Sequence, residues 1–180
     1  MNRYFETIAS EIDEDAILVL ETSVTAPYKN IPNIEFKIYK TNSKEYELLA
    51  YCEMTPKDQI FALKEQEMGN GKKMTFSEAQ IALFSDKEYV LNYMRPLIST
   101  LNMEQTEIVL NAVHSNWDGY VVRGLDGHSY FLKIHSENII EKLLWCVVSK
   151  EFESFAEMIN MFIDIYNPPN KEKYYCNVWK

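Results

Sequence analysis

Catalytic signatures are missing from this chain: no stretch spells a metal site, a phosphate loop or a nucleophile elbow. Basic charge is in short supply as well. Lys and Arg number 18 against 27 Asp and Glu, a net charge of -9 at pH 7. That deficit argues against nonspecific nucleic-acid binding, whose affinity comes mostly from Lys and Arg releasing phosphate counterions. It would also repel an anionic membrane surface. The longest uninterrupted apolar run, Leu143 to Val148, is far too short to span a bilayer. The opening Met1-Asn2-Arg3-Tyr4-Phe5-Glu6 lacks an apolar core of signal-peptide length. Cysteines are few: Cys52, Cys146 and Cys176 are odd in number and widely spaced, forming neither a disulfide framework nor a metal knuckle. They fit a reducing, cytoplasmic compartment. With only 5 Gly and 6 Pro, disorder is expected at the ends alone.

What is present is a globular composition. An apolar fraction of 47% in 180 residues is enough to bury one real core. The first zone, to about Glu53, reads as a short helix followed by strands. Ile8 and Ile12 share a helical face, the acids Glu11, Asp13, Glu14 and Asp15 cluster around its end, and Ala16 to Leu20 forms a buried strand. Ile34 to Tyr39 alternates apolar and polar, as a strand with one wet face does. A turn at Asn42-Ser43 leads into Tyr46 to Tyr51, completing an antiparallel hairpin.

Residues 55 to 116 carry helix start signals: Thr55-Pro56, then capping boxes at Thr75/Glu78 and Ser85/Glu88, and Asn102 with Gln105. Arg95-Pro96 should end or kink the third of these helices. Further on, Asp126-Gly127 predicts a tight hairpin between Tyr120-Val121-Val122 and Tyr130-Phe131-Leu132. Phe152, Phe155, Ile159, Phe162 and Tyr166 repeat at helical spacing, with Ser154 and Glu157 as a possible capping box and Pro168-Pro169 as the stop. Residues 139 to 148 fit a helical stripe and a buried strand equally well. These elements predict an α+β fold, an antiparallel sheet packed against several helices in one domain over residues 1–167, followed by an aromatic tail over 168–180.

Candidate chemistry is thin. Gly69-Asn70-Gly71-Lys72-Lys73 resembles a phosphate loop, but the position five before Gly71, where that loop needs glycine, is Gln66. His128 and His135 flank a strand seven residues apart, on opposite faces, so they cannot easily share a metal. Cys146 belongs to an apolar run, Cys176 to a mobile tail, and Cys52 at a strand end is the candidate nucleophile, without a local partner. Asp13-Glu14-Asp15 lacks the alternating spacing of a calcium loop and reads as a solvated turn or a protein-contact surface. Asn116-Trp117-Asp118-Gly119-Tyr120 places aromatics on a loop, where they serve as contact anchors unless Trp117 is buried under the helical layer.

The segment Val147-Val148-Ser149-Lys150-Glu151-Phe152-Glu153-Ser154-Phe155, an apolar strand, a small residue and a Phe-x-x-Phe helix start, resembles the end of a SUKH-type domain. The preceding Leu125-Asp126-Gly127 and Tyr130-Phe131-Leu132 are similar to that superfamily's core strands. The resemblance covers about a third of the chain, and the family's early Leu-Pro and glycine-rich elements are not recognisable. It implies a curved antiparallel sheet, no catalysis, and binding of a cognate toxin, as bacterial immunity proteins do. The reading that follows is a non-enzymatic binding domain with a basic protein partner, without cofactor, nucleic acid or membrane. Its contact set is Asp13, Glu14, Asp15, Trp117, Asp118 and Tyr120. The alternatives are a small hydrolase or transferase assembled from Cys52, His114, His128 and His135, or a small-molecule sensor.

Overall fold

The computed structural model describes residues 12, 14–25, 33–53, 71–85, 88, 94–117, 128–145 and 147–178. Its strands are β1 (Ile17–Thr25), β2 (Asn33–Lys40), β3 (Tyr46–Glu53), β4 (Leu97–Thr100), β5 (Ser129–Ile134), β6 (Ile140–Trp145), β7 (Val147–Val148) and β8 (Asn177–Val178). The helices are α1 (Phe76–Ser85), α2 (Met103–Val113) and α3 (Glu153–Tyr166). Six strands form one antiparallel sheet in the order β4-β3-β2-β1-β5-β6, so the fold is α+β.

Alternation along each strand gives the sheet two unlike faces. The inner face carries Leu20, Val24, Ile34, Phe36, Ile38, Leu48, Tyr130, Leu132 and Ile134, all essentially inaccessible. Against it lies α3, whose Phe155, Ile159, Phe162, Ile163 and Tyr166 recur every three or four residues and so share one stripe. Phe36 meets Phe162 at 5.4 Å and Tyr130 meets Phe155 at 6.0 Å between ring centroids. Thr22 is fully buried on this face, and it donates its hydroxyl to the Phe131 carbonyl at 2.6 Å, which offsets the cost of burying it. β1 runs on to Thr25, past the Leu20 limit that apolar content predicts, because its backbone pairs there with β2 on one side and β5 on the other.

Several expected boundaries hold. The β2–β3 hairpin closes over residues 41–45, where Lys44 adopts φ 66°. Both Thr75/Glu78 and Asn102/Gln105 close reciprocal capping boxes. Other expectations need correction. The zone read as helical contains β4, entered through Arg95 at φ 43° just before Pro96. Residues 140–145, which fitted helix and strand alike, are a strand: Ile139 and Leu143 of the helical stripe are 62% and 50% exposed. Ser154 does not cap α3, which is preceded by a 3-10 turn; its hydroxyl instead pairs with Ser115 at 2.6 Å. Both edges of β5 are taken, by β1 and β6, so the hairpin that forms is β5–β6; Tyr120-Val121-Val122 and Asp126-Gly127 lie outside the described residues. So do the helix around Ile8 and the Thr55-Pro56 start.

The chain after α3 packs back onto the core. Asn167 ends α3 in the left-handed conformation, and Tyr174 and Cys176, expected in a loose tail, are buried. Asn160 grips Cys176 with both ends of its amide, donating to the carbonyl at 2.9 Å and accepting from the N–H at 2.7 Å. Tyr130 donates to the Tyr174 carbonyl at 3.1 Å, and β8 pairs in parallel with β7.

Candidate interaction surface

The nucleophile candidate sits where it cannot react. Cys52 is on the inner face of β3, and burial pushes its thiol pKa up, against the partial relief of a Tyr166 hydrogen bond. The Tyr166 hydroxyl lies 3.1 Å from both Cys52 Sγ and the Met94 carbonyl. A thiol kept protonated in apolar surroundings is inert. The histidines are dispersed. His114 is exposed at the C-terminus of α2, and His135 extends from β5 onto the outer face, opposite Cys52. His128 packs beside Tyr174, their ring centroids 6.1 Å apart, and burial lowers its pKa. Among the described residues no group of three or more His, Cys, Asp or Glu is placed to hold a metal ion. No described helix is long and apolar enough to cross a membrane.

The outer face of the sheet is where polar chemistry gathers. Register aligns Lys37, Glu21, Lys133 and Glu141 in one row across β2, β1, β5 and β6. Lys37 Nζ is 3.2 Å from Glu21, His135 Nε2 is 2.7 Å from the other Glu21 oxygen, and Lys133 is 3.0 Å from Glu141. Burial pushes the Glu21 carboxyl pKa up, but the His135 hydrogen bond and the Lys37 charge outweigh it and leave it below its ordinary value. The row is therefore neutralised within itself. Towards β3 and β4 the same face is covered by a second apolar cluster of Ile12, Leu49, Tyr51 and Met94.

Among the described residues, five exposed acids share one end of the sheet. Glu14 and Asp15 precede β1, the 41–45 turn joins β2 to β3, the 135–139 turn joins β5 to β6, and α2 starts just after β4. Antiparallel register brings all four to the same end, since Ile17 pairs with Lys40, Lys40 with Tyr46, Glu47 with Thr100 and Ile134 with Ile140. Glu14, Asp15, Glu45, Glu104 and Glu137 are exposed there, against the two exposed lysines Lys40 and Lys44. The acidic turn is anchored beneath by Ile12, 3% exposed, and tied sideways by Asn42 donating to Asp15 at 3.5 Å. Glu45, Glu104 and Glu137 come to this end through strand pairing, which neighbours in sequence do not reveal.

Of the expected contact residues, Glu14 and Asp15 are thus on the surface, while Asp13, Asp118 and Tyr120 lie outside the described residues. Trp117 belongs to the core: it is 4% exposed, stacks on Phe152 at 5.5 Å and donates its indole N–H to the Ala112 carbonyl at 3.1 Å. With its ring enclosed and its one donor satisfied, it offers no anchor to a partner. No protein-family model, curated protein or solved structure matches this chain.

Proposed function

We propose that this chain is a non-enzymatic binding domain that engages a basic protein through the acidic end of its sheet, the part an immunity protein plays against its toxin. One observation carries the reading: four connections far apart in sequence converge at one end of the sheet and present Glu14, Asp15, Glu45, Glu104 and Glu137 to solvent. A surface with a net excess of one sign raises the rate at which an oppositely charged protein is captured and disfavours acidic competitors. Two further points favour binding over catalysis. Cys52 is sealed in the core, and His135 is committed to Glu21 on the other face. The toxin-immunity assignment itself draws on the SUKH-like segment around Phe152 and Phe155.

Capture from lysate of the source organism on the immobilised chain, with elution by a salt gradient, tests the reading. A basic protein that leaves at moderate salt and is toxic when expressed alone is the expected result. Retention of nothing, or only of acidic proteins unaffected by salt, would overturn it.

A further inference from the structure

We propose that residues 171–178 form a strap that opens by itself when His128 takes up a proton, while the six-stranded sheet stays folded. Side-chain bonds hold much of the strap in place. Asn160 grips Cys176 through both ends of its amide, Tyr130 donates to the Tyr174 carbonyl, and Asp164 accepts from Lys171 at 2.8 Å and from Tyr175 at 2.6 Å. Its β8 pairs with the two-residue β7, in a sheet separate from the six-stranded one. At its base Asn167 and Asn170 both take the left-handed conformation, on either side of Pro168-Pro169. A segment joined through such a turn and attached in this way opens without unpairing β1 to β6.

His128 lies under the strap. It immediately precedes β5, its ring is 6.1 Å from the Tyr174 ring, and its Nε2 is closed off from solvent. Tyr174 is itself 1% exposed. From the strap the imidazole faces the Tyr174 phenol, which burial keeps protonated. On β5 the nearest titratable group on the same side is Tyr130, two residues along. The charged Lys171, Glu172 and Lys173 of the strap reach solvent instead. Burial lowers the His128 pKa from its ordinary 6.5, with no charged neighbour contributing.

An imidazolium ion held beneath Tyr174 lacks the water that would stabilise it. Lifting Tyr174 returns the ring to solvent and removes that cost, so the open strap binds the proton more readily than the closed one. The sign follows. The contribution of His128 to closure is fully present above pH 6.5 and is lost as pH falls from 6.5 through the lower folded value. Opening uncovers Cys176, 3% exposed when the strap is closed.

Amide hydrogen exchange of the full chain in low urea, at about pH 7.5 and about pH 5.5, tests this, with each rate corrected for intrinsic exchange. The Tyr174 and Cys176 amides should be less protected than those of β1 and less sensitive to urea. Their protection should fall between the two pH values by up to about tenfold, the most that one histidine gives over that interval. H128Q cannot take up the charge and should hold strap protection constant. If H128Q does not fold, the unsubstituted chain decides: strap protection should level off at the pH where the His128 ring protons are half titrated. Strap amides as protected as those of β1 at both pH values would overturn the proposal. So would strap protection that ignores pH, or that keeps falling below the His128 titration.

Discussion

At the scale of single residues, most polar groups with chemical potential serve the fold. Asn160 is the clearest case. Its amide replaces a missing strand partner for the Cys176 backbone, and Asn160→Ala leaves that N–H and carbonyl without their partners. The expected loss is about 2 kcal/mol, read as a lower urea midpoint at unchanged m-value. Cys52 and Cys176 are both buried, with the Cys52 thiol pKa raised. Neither should react with an aromatic disulfide at neutral pH until the chain is unfolded, as peptide mapping of the modified thiols would show. Rapid labelling of native Cys52 would instead revive the nucleophile reading. Glu21 gives a pH dependence of definite sign. Its folded pKa lies below the ordinary 4.5, so its contribution to stability is present above that value and is lost as pH falls through the folded one. Glu21→Gln should therefore flatten the acid limb of a stability-against-pH curve, measured by denaturant titration.

At the scale of elements, the legible parts were those decided by neighbours in sequence. Ile34 to Tyr39 alternates cleanly because one face is buried and the other wet. Helix α2 announced itself through Asn102 and Gln105, whose reciprocal hydrogen bonds are both 2.9 Å. Asn102→Ala should cost about 1 kcal/mol, seen in the same urea titration. The parts that were not legible depend on distant pairing. β6 was ambiguous because Lys142 occupies an inward position on an edge strand and breaks the alternation, while Ile139 and Leu143 are apolar yet exposed. β4 was hidden inside a helical zone. Its entrance needs Arg95 in the left-handed region, a conformation held by the Met94 carbonyl, which accepts from the Cys52 N–H at 2.8 Å and from the Tyr166 hydroxyl at 3.1 Å. Neither acceptor–donor pair is local in sequence. The Ser-x-x-Glu spacing is met equally well within the first turn of a helix, where the Ser154 hydroxyl pairs with Ser115 instead of capping.

At the scale of the whole molecule, the composition establishes an acidic chain, but only the topology says which acids share an end of the sheet. The Asp13-Glu14-Asp15 run is visible in the sequence; Glu45 and Glu137 come to the same end as Glu14 and Asp15 through β-sheet register alone. Trp117 illustrates the reverse: a loop aromatic that looked like an anchor is enclosed by Phe152 and Phe155. Trp117→Ala should cost about 3–5 kcal/mol of stability by leaving a cavity, with chemical denaturation as the check, whereas a surface anchor would cost affinity alone. The most direct measurement is the association rate of the captured basic protein against ionic strength, for the unsubstituted chain and for the combined Glu14→Lys, Asp15→Lys and Glu45→Lys variant. The rate should fall steeply with salt for the unsubstituted chain. For the variant it should be about tenfold slower at low salt and nearly flat. Equal rates and equal salt dependence for the two proteins would contradict binding through this end of the sheet.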